Sequence, residues 1–349
     1  MNRIVAYTLL ALLTVSCSCT AEEHERREAY ERKEQKSFRV NPDAMVYIDN
    51  KFGDVFCSIR EQNEVSVEVT VTVEAGNEKT ANKVFDKISV FLEGDPQKVS
   101  GITEIDNPDL NDLSFSVDYE ILMPKTLMVD ISVTFGSLAL PELEGPAKIS
   151  LSHGEMNAGD LRNDHNDIFL SSAVAEFGSL RNAVMDVEYS DVVIGRISEL
   201  EMGSQYSDIE ISTIETFNLE SQYDDVRIGS IGDLDVVSKF SDLKIADLYS
   251  GLTSQMTYGA ISAGHIAREF TGLVIQGSYV DVELKIDRSA VYRLMIRESF
   301  SDVKLSSAAS GVNIQEKTRH SSWYEGMVGS GDNAPWVNIT VNNSNIIIK

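Results

Sequence analysis

Cysteine is nearly missing from this chain. Three occur in 349 residues, Cys17, Cys19 and Cys57. Loss of the first nineteen residues would leave Cys57 alone, with no intramolecular disulfide possible. Cys57 alternates with Val55 on an apolar face, which marks it as a core residue rather than a nucleophile. Histidine is also scarce. The five (His24, His153, His165, His265 and His320) are scattered, and no Cys/His spacing suits zinc. The chain has no G-x-S-x-G, no P-loop, no H-E-x-x-H and no G-x-G-x-x-G. The glycine-rich calcium nonapeptide is missing as well. No catalytic, cofactor-binding or metal-binding residue is therefore assigned, and no cofactor is expected. Basic charge is short too, with 30 Lys and Arg against 55 Asp and Glu and a net charge of −25. That balance repels nucleic acid and anionic headgroups, which excludes nucleic-acid binding as a main role. It also keeps a repetitive β protein soluble.

What the chain has is a repeat. Residues 200–250 write as three gapless rows of seventeen: LEMGSQYSDIEISTIET, FNLESQYDDVRIGSIGD and LDVVSKFSDLKIADLYS. Apolar residues share columns: Leu200/Phe217/Leu234, Met202/Leu219/Val236, Ile209/Val226/Leu243, Ile211/Ile228/Ile245 and Ile214/Ile231/Leu248. Within a row they alternate with polar residues, the period of a strand with one buried face. A fixed period of this size means stacked units that cannot bury a core alone. The spacing predicts an all-β fold, a right-handed parallel β-solenoid of short coils of about 17–24 residues. Tyr206, Tyr223 and Phe240 share a column and are expected to stack ring on ring on adjacent coils.

The motif aromatic-small-Asp-aliphatic recurs at Tyr189, Tyr279 and Phe300. Looser copies start at Phe135, Phe177 and Tyr258, with His153 in the aromatic frame and Phe52 as an early outlier. The motif places Asp191, Asp208, Asp225, Asp242, Asp281 and Asp302 in one column, broken at Ala260. Carboxylates on adjacent coils stand about 5 Å apart and repel by roughly 1 kcal/mol when exposed. Each Asp is expected to accept N–H groups of its own turn, as in Asx-turns. Bridging by divalent cations is the alternative.

The chain divides into four stretches. Residues 1–19 read as a lipoprotein signal peptide. Asn2-Arg3 is followed by an apolar run, Ile4 to Val15, that is too short to span a membrane. Val15-Ser16-Cys17 resembles a lipobox, so Cys17 is the expected lipidation site, with Cys19 the alternative. Ordinary cleavage near Ala21 is the competing reading. Residues 20–37 are a charged tether, dense in both signs and poor in apolar residues. Residues 38–125 are a β-rich segment covering the first coil. Glu64–Val73 and Leu113–Leu122 alternate strictly, Glu78–Lys87 reads as a short helix, and Pro124 marks an edge or turn. Residues 126–349 are the solenoid, with an irregular part at 306–336 and a terminal coil.

The block Val117-Asp118-Tyr119-Glu120-Ile121-Leu122-Met123-Pro124, then Val129-Asp130-Ile131 and Phe135-Gly136-Ser137-Leu138, resembles a large bacterial family of adhesin-type proteins of unknown function. That family has a head GIN-like β-solenoid, and many members are Bacteroidetes lipoproteins. Asn50–Val55 and Gly326–Gly331 also look like it. The resemblance implies a cell-envelope protein, an outer-membrane lipoprotein facing the periplasm or the outside. It carries no catalytic residues to transfer. The expected role is non-catalytic adhesion or scaffolding. The expected partners are the membrane, through an N-terminal lipid, and an envelope protein or glycan. A polysaccharide-active β-helix enzyme and a partner in envelope stress signalling are the alternatives. Catalytic carboxylates would break the repeat, whereas the carboxylates here follow it.

Overall fold

The computed structural model describes residues 27–106, 114–309 and 311–349. One coil shows how the rest are built. Along Asp191–Gln205 the inward residues are Val192, Ile194, Ile197, Leu200, Met202 and Ser204. Alternation fails twice, at Gly195-Arg196 and Ser198-Glu199, where two successive side chains turn outward. These are corners. A third corner falls at Tyr206, whose φ is +52°. From Val174 to Lys239 each coil pairs in parallel with the next at an offset of seventeen. Asp191 meets Asp208, which meets Asp225, and Leu200 meets Phe217, which meets Leu234. The five apolar columns of the rows all point into one continuous core.

Ser254 breaks the core pattern. It lies in register with Val236 and Ile275, is fully buried, and its hydroxyl has no partner among the described residues. An orphaned hydroxyl costs more than an apolar group of similar shape. Ser254→Val is expected to add about 1–2 kcal/mol to stability. Thermal unfolding measures this; a lowered melting temperature would contradict it.

The solenoid starts earlier than residue 126. Met45–Lys51 and Val55–Ile59 pair in parallel with Met128–Thr134 and Leu138–Leu140. Phe52 is thus a regular corner, not an outlier. Outside this coil lies another, made of Lys98–Ile105 and Ser114–Met123, also parallel to it. The chain leaves the stack after Ile59, returns on its outer side, then crosses to the inner side at Met128. Asn50, fully buried, ties the two coils together. Its Nδ2 donates to the Gly53 and Val117 carbonyls, and its Oδ1 accepts from Thr103.

The excursion forms a cap of antiparallel strands and the expected helix, Glu78–Phe85, capped by Asn77. Glu64–Ala75 runs antiparallel to Ser114–Met123. Glu28–Arg39 in turn runs antiparallel to Glu64–Ala75. Residues 28–37 are therefore a strand and not a tether. Charge is tolerated because this is an edge strand, largely exposed, with only Tyr30 and Phe38 packed on the core. The charges also serve the fold. Arg32 donates to the Phe85 and Ile88 carbonyls, and Lys36 to the Leu92 carbonyl, at 2.7–3.1 Å. Cations over edge carbonyls blunt further strand pairing.

The other end also departs from chain order. Trp336–Asn342 and Asn345–Ile348 form the expected terminal coil, but it is not the last in space. Trp336–Asn342 lies between Gly272–Ile286 and Tyr292–Ser299, parallel to both. Asn345–Ile348 lies likewise between Gly272–Ile286 and Asp302–Leu305. The stretch expected to be irregular contains a hairpin, Val312–Lys317 with Ser321–Val328. Its second strand covers Tyr292–Ser299 antiparallel. Both ends of the parallel stack are thus closed by antiparallel strands.

Candidate functional site

The corner that bears the aromatic column is the most regular exposed feature of the molecule. Phe52, Phe135, His153, Tyr189, Tyr206, Tyr223, Phe240, Tyr258, Tyr279 and Phe300 all have φ between +50° and +61°. The left-handed region costs an L-residue roughly 1–2 kcal/mol. Two interactions offset that cost along the column. The first is ring stacking, worth about 0.5–1.5 kcal/mol per pair. From Tyr189 through Tyr206, Tyr223, Phe240 and Tyr258 to Tyr279, successive centroids are 4.8–5.0 Å apart and planes tilt by at most 11°. The expected stack of Tyr206, Tyr223 and Phe240 is its middle. A second stack runs Phe52, Phe135, His153, with Phe115 tilted against Phe52. His320, from the turn of the capping hairpin, stacks on Phe300 at 4.8 Å.

The second interaction is a hydrogen-bond ladder one residue further on. The N–H of Ser190 donates to Ser207 Oγ, that of Ser207 to Asp224 Oδ1, and that of Asp224 to Ser241 Oγ, at 2.8–3.2 Å. Each serine also donates back two residues, as Ser207 Oγ does to the Gln205 carbonyl. At Gly259 the same position has φ +141°, and a Cβ would lie 2.0 Å from the Ser241 carbonyl oxygen. Only glycine fits there.

The expected role of the Asp column is therefore corrected. Turn capping belongs to the preceding residue, the serine column with Asp224, because that side chain turns inward while the Asp turns outward. Asp191, Asp208 and Asp225 are in register, and Ala260 stands between Asp242 and Asp281. Asp302 faces Asn345 of the inserted coil rather than Asp281. Asp225 pairs with Arg227 and, at 3.6 Å, with Lys244. Asp281 accepts from the N–H and side chain of Asn345. Among the described residues no group of three or more His, Cys, Asp or Glu is arranged to hold a metal ion.

The looser copy at Phe177 is a coincidence of sequence. Phe177 is in the core, and the corner of its coil is Ser172, φ +53°. The ring ladder is interrupted there, and again at Asn343. Tyr189, beside the first gap, is 59% exposed, against 41–45% for Tyr206, Tyr223, Phe240 and Tyr258 inside the stack. The registers of Phe115 and His320 have no repeat to announce them.

Cys57 is buried, and burial pushes its thiol up to about 12, so it is no nucleophile at neutral pH. Cys17 and Cys19 lie outside the described residues. Among the described residues no helix is long and apolar enough to cross a membrane.

No family model and no curated protein matches the chain. Solved structures do. Chains of similar architecture are described as putative adhesins from Bacteroidetes and Clostridia. One is a putative adhesin from Parabacteroides distasonis, 11% identical over 72% of this chain and 97% of that one, with a TM-score of 0.39. A putative cell adhesion protein from Clostridium sporogenes is 11% identical over 91% and 99%, with a TM-score of 0.19. A putative adhesin from Bacteroides fragilis is 12% identical over 72% and 97%, with a TM-score of 0.31. At such identities and superpositions the likeness says nothing about a ligand.

Proposed function

We propose that this chain is a non-catalytic envelope protein that uses the aromatic corner of its solenoid as an extended contact surface, anchored by a lipid on Cys17 or Cys19. The observation that carries the reading is the ladder of exposed rings beside an outward acidic column. Stacked rings use their faces on one another, so edges and tyrosine hydroxyls are what a partner meets. Such a surface offers many equivalent weak contacts in a row, which gain strength when one partner spans several. An envelope glycan or a surface protein fits that description.

The test uses purified protein on a glycan array and on fixed cells. Tyr223→Ser copies the natural break at Ser172 and costs two stacking pairs, about 1–3 kcal/mol. Asp191→Asn/Asp208→Asn/Asp242→Asn removes outward charge and leaves the serine ladder intact. Both variants are expected to stay folded and to lose retention on cells or glycans by about tenfold or more, as multivalent contacts are cut. Equal retention of all three proteins would place the contact surface elsewhere. Turnover of a glycan, abolished by one carboxylate substitution, would overturn the non-catalytic reading. Cys17→Ala releasing the protein from the membrane fraction would support the anchor.

A further inference from the structure

The chain has two tryptophans, Trp323 and Trp336. Both flank one strand near the carboxyl end of the stack, Tyr292–Ser299. Trp336 is in register with Arg293 on one side of it, and Trp323 with Arg297 on the other. Leu294, Ile296 and Glu298 turn inward along that strand, so Arg293, Met295 and Arg297 share its outer face. Each guanidinium lies over its tryptophan. Arg293 is 5.5 Å from the Trp336 ring centre, and Arg297 is 5.4 Å from that of Trp323. A ring held against the flat face of a guanidinium leaves its N–H edge free for an acceptor.

The protein supplies no carboxylate to that edge. Ion pairs among the described residues use Arg60, Arg162, Arg181 and Arg227, and neither Arg293 nor Arg297 takes part in one. Glu325 faces Met295 rather than an arginine. Glu316 is two strands from Arg297, with Trp323 between them, about 10 Å in all. The surroundings also depart from the charge of the whole. From Lys285 to Lys349 eight Lys and Arg stand against six Asp and Glu, in a chain with 30 against 55. An anion repelled by the rest of the surface is admitted here.

Arg297 and Trp323 border a trough of about 810 Å³. Two outward rows of side chains cross it. One runs Thr340, Arg297, Trp323, and the next runs Ser278, Asn342, Ser299, Ser321. The second row is made only of hydroxyls and an amide, groups that both donate and accept.

We propose that this trough binds an acidic sugar, a hexose unit that carries a carboxylate, as part of an anionic glycan. Arg297 donates two parallel N–H groups to the carboxylate. Trp323 fixes the guanidinium and walls the trough. Ring hydroxyls bond to Thr340, Asn342 and Ser299. A neutral sugar would leave the guanidinium unpaired, and a simple carboxylate would leave the polar row unused. The pair Arg293–Trp336 repeats the construction about 13 Å along the strand and holds a second acidic unit of the same glycan. The trough meets the aromatic corner only at Phe300, and the proposal does not depend on the corner reading.

Fluorescence and calorimetric titration of the full chain test the proposal with trigalacturonate, its methyl ester and acetate. Trp336→Phe leaves Trp323 as the single tryptophan reporter. Trigalacturonate is expected to bind saturably and to change the Trp323 emission. The neutral ester should bind about tenfold more weakly or worse, and acetate should not bind at the same carboxylate concentration. Arg297→Gln, at an exposed position, should keep the melting temperature and bring trigalacturonate down to the level of the ester. Arg297→Lys keeps the charge without the fork and should fall between. Tyr223→Ser should bind trigalacturonate as the parent does, which separates this site from the corner. No saturable binding of trigalacturonate would overturn the proposal. So would equal binding of the acid and its ester, equal binding of acetate, or binding untouched by Arg297→Gln.

Discussion

Asp224→Ala is expected to lower stability by about 3–5 kcal/mol, while Asp224→Ser should cost about 1 kcal/mol or less. Asp224 stands in the serine column and is 5% exposed. Its carboxylate accepts four hydrogen bonds. Ser207 N–H reaches Oδ1 at 2.8 Å; Ser204 Oγ, Ser221 Oγ and Gln222 N–H reach Oδ2 at 2.6, 2.7 and 3.0 Å. Alanine leaves those donors facing a buried void. Serine supplies what the column uses at Ser190, Ser207 and Ser241, one acceptor for the neighbouring N–H. Ser221 can turn its one hydroxyl proton to Ser241 Oγ, 2.9 Å away. Urea unfolding of the three proteins measures the difference. Equal losses for alanine and serine would mean that the carboxylate acts through something other than these bonds.

The largest effect is expected from deleting residues 336–349. Val337, Ile339, Val341, Ile346 and Ile348 are all buried. At about 1.5–3 kcal/mol each, their loss removes on the order of 10 kcal/mol. The inserted coil also pairs on both sides, so its removal opens two ladders at once. The expected result is loss of ordered structure from Asp287 onward, with proteolysis under native conditions cutting there and sparing the coils before it. Deleting the hairpin at 312–328 should be milder, because its strands cover one side of Tyr292–Ser299 only. An unchanged melting temperature after deletion of 336–349 would show that Tyr292–Ser299 docks directly on Gly272–Ile286 and closes the gap.

The middle of the molecule is legible in the sequence for a simple reason. In rows such as that of Leu200 to Thr216 every inward position repeats at one spacing, so burial, register and ring stacking can all be read from columns. The ends are not legible in the same way. Glu28–Arg39 has no buried face of its own and reads as solvated charge, although it is paired along its length. The coil at 45–59 is separated from its neighbour at 128 by a long excursion, so its single motif at Phe52 has nothing adjacent to align with. The insertion of the last coil leaves no trace in composition, because parallel strands of like pattern can stack in either order. The Asp column is conspicuous because its members are identical. The capping ladder beside it mixes serine with one aspartate, and only burial reveals that Ser190, Ser207, Asp224 and Ser241 do one job.

The displaced coils bear on how such a chain is made. Synthesis delivers residues in order, and the coils from Met128 to Ile286 can be laid one on another as they emerge. The place beside Gly272–Ile286 must then stay unfilled while some fifty further residues are produced, until residues 336–348 arrive and take it. Parallel stacks can extend by simple addition to an open end. Here simple addition is interrupted, because the layer beside Gly272–Ile286 comes from residues 336–348, so Tyr292–Ser299 can take its place in the stack only after that later segment has been made.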